Sequence, residues 1–523
     1  MGTRGLHHVT GITGDVQANV DFYLGLLGLR LVKRTVNHQD PSTLHLFYAP
    51  GDGRPGTVLT FFAWPDTAAG RRGVGQATEV GLTVPRDAIG FWYERLLSRG
   101  MRFGGPAGKG GQTTLTLEDP DGLPLVLVGS DDAPPPAADE ERAGVPPDAS
   151  VRGLHHVTFW SDQPAATGEV LTELLGFEAQ DVSGAVHAYR AEAEVGAVAY
   201  VRDASGFWPA AGGVGTLHHV AFRGDMDVFP DRLREYARKR LLAVSPLREH
   251  GYFRSAYFRE PAGAIVEVAS DGPGFVVDEP AAELGRSLVL PPDLEARRAE
   301  LETVLPTFAL PGEPRPPKRN LGWTHRFVPG AGAATLLLLH GSGGDETTLL
   351  PLARQAASHA HLLSLRGHLD DGGRPGFVAR SAAGEADLAE LGLAADELAA
   401  FARQAADLYE LVDAPVVLVG HEGGADLALA SLARHPNAYA AAALLRPGLA
   451  LTEPPRGRLD GRRVLLVLGR DDPALDQGEA AAAYLETAGA DVEVVRVPLG
   501  TVLWDPDVET LRAWLPGVVS GDA

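Results

Sequence analysis

The chain has 523 residues, 45% of them hydrophobic, which is too long for a single core and enough for about three compact units. With 68 acidic against 46 basic residues its formal charge is −22, which excludes the clustered basic surface that a nucleic-acid partner needs. There is no cysteine, so disulfides, thiolate metal sites and a cysteine nucleophile are excluded, and any metal must be held by His, Asp or Glu. No apolar run approaches the roughly 18 to 20 residues that span a membrane, and no basic leader precedes a hydrophobic segment. The expectation is an acidic cytoplasmic protein with neither nucleic acid nor membrane as partner.

Four segments beginning near Gly5, Ala77, Gly153 and Gly215 share one plan at a spacing of roughly 60 to 80 residues, and each reads as βαβββ. In the first, Leu6-His7-His8-Val9-Thr10 is followed by Val20, Phe22, Tyr23, Leu26 and Leu27 at helical spacing, then by strand patterns over 43–48 and 57–63. In the fourth, the strand 218–222 precedes a helix over 229–239 and strands over 255–258 and 264–269. The second and fourth share a tight turn before the last strand, Asp119-Pro120-Asp121-Gly122 and Glu260-Pro261-Ala262-Gly263. Four residues beyond the glycine stands Val126 in one and Glu267 in the other. Two linkers divide the chain: 131–150, rich in Pro, Ala and acidic residues, and 291–320, which ends in a proline cluster. Residues 1–130 are expected to hold the first two modules, 151–290 the third and fourth, and 321–523 a different domain.

In that last domain, 335–339, 415–419 and 464–468 are short apolar strands between alanine-rich helices, the pattern of a mostly parallel α/β sheet.

The tetrapeptide Leu-His-His-Val occurs three times, starting at Leu6, Leu154 and Leu217. Imidazole is costly to bury without a partner or a metal, so repeated doublets in apolar strands ask for a chemical reason. Strand alternation puts Leu6, His8 and Thr10 on one face and His7 and Val9 on the other; Leu217, His219 and Ala221 share a face, as do Ile265, Glu267 and Ala269. If those faces converge, they deliver two imidazoles and a carboxylate, a set that suits non-haem Fe(II) and leaves positions open. A register slip of one residue would exchange His8 for His7 or His219 for His218, so the choice within each doublet stays open.

These modules resemble the vicinal oxygen chelate superfamily, an α+β fold. Gly5-Leu6-His7-His8-Val9-Thr10, Leu217-His218-His219-Val220-Ala221-Phe222 and the run from Tyr252 to Pro261 are similar to ring-cleaving hydroquinone dioxygenases over about residues 4–305. The resemblance implies that the first and fourth modules pair around a metal held by His8, His219 and Glu267. It implies that the second and third pair without one, where Glu79 and Val126 replace His219 and Glu267 and leave His155 and His156 with an incomplete set. It further suggests His7, Thr10, His218 and Tyr257 as groups that orient ligands and handle protons. Relatives often carry an arginine before the Tyr-Phe pair; this chain has His250-Gly251, so His250 is an acid/base candidate and a fixed positive charge is not assured. Phe159, Trp160, Phe207 and Trp208 read first as packing and second as pocket lining.

From about residue 322 to 515 the chain resembles an α/β-hydrolase of the phospholipase/carboxylesterase type. His340-Gly341-Ser342-Gly343-Gly344-Asp345 is similar to its oxyanion loop, and Val419-Gly420-His421-Glu422-Gly423-Gly424-Ala425 stands at the nucleophile elbow. The central residue there is Glu422 rather than Ser. Asp472 matches the triad acid, while Thr501 follows Gly500 where the triad His is expected, so the Ser-His-Asp route lacks its nucleophile and base.

The sequence therefore reads as an Fe(II)-dependent extradiol-type dioxygenase, with Mn(II) as a second choice of metal and O2 as co-substrate. It would act on a hydroquinone or related small dihydroxy aromatic and is fused to a non-catalytic hydrolase-like domain. Homo-oligomerisation is left open. The alternatives are another metal-dependent reaction of the same superfamily, an isomerisation or thiol addition, and a protein that binds an aromatic or quinone without turning it over.

Overall fold

Each module begins with a strand that is buried along most of its length, and the computed structural model shows what the others are laid against. It describes residues 5–65, 67–109, 111–137, 141–240, 242–315, 321–370, 374–379, 386–411, 414–451, 453–498 and 500–519. Of the expected linkers, 138–140 and 316–320 (with Pro316 and Pro317) lie outside the described residues. One unit comprises Met1–Ala296 with Leu305–Pro316, and a second comprises Arg297–Val304 with Pro317–Ala523.

In the first unit the modules contribute β1 (Leu6–Thr13), β2 (Arg30–Asn37), β3 (Asp40–Ala49) and β4 (Val58–Ala63); β5 (Gln76–Pro85), β6 (Phe103–Lys109), β7 (Gln112–Glu118) and β8 (Pro124–Ser130). The third and fourth add β9 (Gly153–Ser161), β10 (Glu178–Ser183), β11 (Val186–Arg190) and β12 (Val198–Asp203), then β13 (Leu217–Arg223), β14 (Arg248–Glu249), β15 (Arg254–Arg259) and β16 (Ile265–Ala269). The helix of each module follows its first strand, because β1 and β4 are parallel and a parallel pair needs a crossover. In the first module the helix Val16–Val20 continues as a π-helical turn over Asp21–Leu26.

Two eight-stranded sheets result, in the orders β14-β15-β16-β13-β1-β4-β3-β2 and β10-β11-β12-β9-β5-β8-β7-β6. The first joins modules one and four, the second joins two and three. Sequence neighbours are nonetheless clasped by the turns before the last strands. Asp119 accepts the Leu123 and Asp121 amides within its own turn, and the Tyr23 hydroxyl donates to it at 3.1 Å from the first module. Glu260 does the same in the fourth module, taking a 2.7 Å hydrogen bond from Thr167 of the third.

The alternation read from the sequence is broken at the doublets. Leu6 pairs with Phe222 and His8 with Ala221, so His7 is an extra residue in β1; Thr10 pairs with His219 and Gly11 with Leu217, so His218 is an extra residue in β13. Such β-bulges re-aim side chains next to the kink. The second sheet repeats them at Thr78 and His155.

The second unit holds a seven-stranded sheet. Its strands are β17 (His325–Val328), β18 (Thr335–Leu339) and β19 (His361–Leu365), then, after a two-residue ribbon of β20 (Leu369–Asp370) and β21 (Pro375–Gly376), β22 (Val416–His421), β23 (Ala441–Leu445), β24 (Arg463–Gly469) and β25 (Asp491–Val497). The order β17-β19-β18-β22-β23-β24-β25 is parallel except for the antiparallel edge β17. Beyond β23 the fully buried Arg446 makes a two-pronged pair with Asp507 at 2.7 and 3.0 Å, and its Nε donates to Gly500 O at 2.7 Å. Asp507→Ala leaves that guanidinium buried without its counter-charge, so denaturant melts should show this unit destabilised by about 3–5 kcal/mol while the first unit melts as before.

Candidate metal centre

Three strands deliver the candidate ligands. Because Thr10 faces His219 and His8 faces Ala221 across the antiparallel pair, His8 and His219 are diagonal neighbours on one face. The parallel pairing of β13 with β16 sets Glu267 beside Ala221. His8 Nε2 and His219 Nε2 lie 3.2 and 2.9 Å from Glu267 Oε2, and among the described residues these three form the only cluster of such groups close enough to share an ion.

All three are buried, Glu267 completely. Neither of its oxygens receives a well-directed hydrogen bond, although Oε2 is within ion-pair distance of both imidazoles. A carboxylate so placed is costly unless a cation completes it. Burial raises the Glu267 pKa, but His8 and His219 outweigh that and hold it well below the usual range. The donor set thus fits a divalent metal that accepts nitrogen and oxygen ligands.

The residues behind the cluster fix which imidazole nitrogen is left bare. His7 Nδ1 is 2.8 Å from His8 Nδ1, and His7 Nε2 is 3.0 Å from the Ser270 carbonyl. A carbonyl only accepts, so His7 carries its proton on Nε2 and its Nδ1 accepts a hydrogen bond from His8 Nδ1–H, leaving the His8 Nε2 lone pair aimed at the cluster. His218 and His219 repeat the 2.8 Å Nδ1–Nδ1 contact. Burial depresses both supporting imidazoles to about 3, so both are neutral. Thr10 Oγ1 stands 3.0 Å from His219 Nε2 and accepts from Thr60, whose hydroxyl lies 2.9 Å from His45 Nε2.

The cluster floors a cavity of about 560 Å³. Its lining includes the aromatic rings of Phe47, Phe62, Trp64, Phe253 and Tyr257 and the polar side chains of Asn37, His38, Gln39, Arg248 and His250. His250 Nε2 is 3.0 Å from Ser255 Oγ and 3.3 Å from the Tyr257 hydroxyl. Burial lowers His250 to about 4 and raises Tyr257 well above 10, so at neutral pH the imidazole is uncharged and the phenol protonated. Tyr252 is steadied from behind: its hydroxyl donates to Asp278 at 2.9 Å, and the buried Lys33 pairs with Asp278 and Glu279.

His7, His8, Thr10, His218, His219, His250, Tyr257 and Glu267 all gather at this one place. The sequence reading missed His38, His45, Thr60 and Arg248. His45 had a signal, since Leu44, Leu46 and Tyr48 form the buried alternation of β3 and put His45 and Phe47 on the opposite face. The aromatic wall is a correction: Phe159 packs in the core, Trp160 and Phe207 flank Arg202, Trp208 is exposed, and none of the four lines the cavity.

The profile of the Glyoxalase/Bleomycin resistance protein/Dioxygenase superfamily matches residues 5–127. MhqO of Bacillus subtilis, named as a ring-cleaving dioxygenase, is 36% identical over 310 residues, 58% of this chain and 97% of that protein. The chlorohydroquinone/hydroquinone 1,2-dioxygenase of Sphingobium indicum is 30% identical over 311 residues, 57% of this chain and 94% of that protein. The chain belongs to the ring-cleaving dioxygenase family. A further match, MhqD of Bacillus subtilis, named as a hydrolase, is 31% identical over 192 residues, 36% of this chain and 96% of that protein.

Within the dioxygenase unit the second sheet has the same frame with a different filling. Val126 pairs with Gly81 where Glu267 flanks Ala221, and Glu79 stands where His219 does, 3.3 Å from His156 Nε2 and 3.0 Å from Thr158 Oγ1. The His156 ring lies over Gly81, where a Cβ would come within 2.1 Å of its Nδ1.

In the hydrolase-like unit β22 runs through Glu422 into the helix Gly423–Arg434, and Glu422 has the left-handed φ of 47° that a strand-to-helix elbow imposes. Its Oε2 accepts from the backbone N–H of Ser342 at 3.1 Å, so the carboxylate occupies a donor of the oxyanion loop. Asp472 caps its own turn through Ala474 N at 2.8 Å, and Thr501 gives its carbonyl to His421 Nε2 at 2.8 Å. Neither touches Glu422.

Metal analysis separates the two sheets. The wild-type dioxygenase unit should retain roughly one equivalent of metal per chain, Glu267→Ala nearly none, and His156→Ala the wild-type amount.

Proposed function

We propose that the first unit is an Fe(II)-dependent extradiol-type dioxygenase that opens the ring of a hydroquinone or related dihydroxy aromatic with O2, Mn(II) being the alternative metal, and that the second unit is a scaffold without hydrolase turnover. The observation that carries this is the buried carboxylate of Glu267, without a directed hydrogen bond, beside the Nε2 atoms of two imidazoles, each backed at Nδ1 by the other histidine of its doublet. The match to a hydroquinone dioxygenase over nearly its whole length supports the substrate class.

His8, His219 and Glu267 would hold the metal, which when bound supplies a Lewis-acidic centre with open positions for a phenolic oxygen and for O2. The chain does the rest. Phe47, Phe62, Trp64 and Phe253 sandwich the ring and exclude water from it. Neutral His250 accepts a substrate hydroxyl proton at Nε2, and Tyr257, protonated beside it, returns a hydrogen bond to the developing charge. Thr10, Thr60 and His45 form a hydrogen-bonded chain that reaches His219 at Nε2, the nitrogen that faces Glu267.

Protein loaded anaerobically with Fe(II) should consume O2 with hydroquinones and yield a ring-opened product; no uptake with any dihydroxy aromatic at full iron occupancy would overturn the proposal. Glu422→Gln should leave the product and rate within about twofold. A tenfold loss would assign chemistry to the elbow.

A further inference from the structure

The cavity is larger than the ring it is proposed to bind, and its charge is lopsided. Arg248 is its one permanent cation among the described lining residues. It stands on β14, which pairs with β15 through Ser255 and Arg254, and that pairing turns it toward Tyr257, with the guanidinium carbon 5.5 Å from the ring centre. The same phenol meets the His219 ring edge to face, ring centres 5.6 Å apart. Tyr257 is thus a neighbour of both the guanidinium and the candidate metal ligand.

No carboxylate among the described lining residues pairs with the guanidinium. Among the described residues Arg248 makes no salt bridge; its neighbour is the Gln39 amide, whose oxygen, in the orientation the hydrogen-bond pattern demands, accepts from Nη2 at 3.0 Å and from Nη1. The carboxylate on the wall, Asp40, is turned onto Ser42 and Thr43, with hydroxyl contacts of 2.5 and 2.6 Å. The imidazoles of His38, His45 and His250 are all pushed by burial toward their neutral forms. A planar guanidinium half-buried among aromatic rings and neutral imidazoles, with the nearest carboxylates committed to other partners, is suited to a carboxylate, which it can grip with two parallel hydrogen bonds.

We propose that Arg248 makes this cavity select dihydroxy aromatics that bear an anionic substituent, a carboxylate on the ring or on a short side chain. The proposal rests on the ring-cleaving reading only for the identity of the ring. The fixed charge that the sequence lacks just before Tyr252 is supplied two residues earlier, from the short strand β14.

The test compares 2,5-dihydroxyphenylacetate with its methyl ester, which differ in charge and little in shape, on the full chain. Two ratios are read: kcat/KM by O2 uptake with Fe(II)-loaded protein, and Kd by calorimetry with metal-free protein. The wild type should favour the acid by about tenfold or more in both. Arg248→Met should bring each ratio close to one, and Arg248→Lys should keep most of the preference; comparing ligands within one variant cancels any loss of folded protein. A wild type that prefers the ester, a Met variant that keeps the preference, or a Lys variant that loses it as fully as Met would each overturn the proposal. Selective binding of the acid without turnover of either compound would sustain Arg248 and sink the dioxygenase reading, whereas turnover of both without charge preference would do the reverse.

Discussion

The antiparallel pairing of β1 with β13 is the contact on which the site depends. It joins strands more than 200 residues apart, and it sets Thr10 opposite His219 so that His8 and His219 become diagonal neighbours. Every other member of the cluster is hung from this pair: Glu267 by the parallel pairing of β16, Tyr257 one strand further out, and Thr60 by the pairing of β4 with β1. The bulges in both strands then stack a second imidazole behind each candidate ligand. A doublet is needed because one ring faces the cluster and the other sets its proton.

The second sheet shares this frame and lacks the His-His-Glu cluster among the described residues. It has the same strand order, the same bulges and a His-His doublet with the same Nδ1–Nδ1 contact, at 2.9 Å. What differs is chemistry at two positions, a valine in place of Glu267 and a glutamate in place of His219. With Gly81 beneath it, the His156 ring settles over the strand and pairs with Glu79. Duplication preserved the backbone because the backbone is what packs; the ligand set had no such constraint.

The hydrolase-like unit makes the same point from the other side. An elbow with a left-handed φ at a glutamate carries strain of order 1–3 kcal/mol, and the close approaches at Gly420 and Gly424 keep its turn tight. The geometry survives, while the carboxylate is bound to the amide of Ser342. Arg446 and Asp507 anchor the loop in which Thr501 stands, so that loop is held by a buried ion pair whether or not a catalytic histidine sits on it.

By itself the sequence determined what is local or periodic. The four βαβββ modules, the apolar strands at 335–339 and 464–468, the count that separates Glu267 from Val126, and the Ser-to-Glu exchange at the elbow were all legible, since each depends on spacing within one stretch of chain. Strict alternation failed at His7 and His218, because a bulge exists only relative to a partner strand, and the partner is supplied by another module. Thr60 and Arg248 were unreadable as site residues for the same reason: each is an ordinary strand residue until β4 pairs with β1 and β14 pairs with β15, while the face of His45 could be read along β3 but not what that face would meet. Tertiary structure alone decided which imidazole of each doublet faces Glu267 and where the cavity's charge lies, because register and burial are set between strands rather than along them.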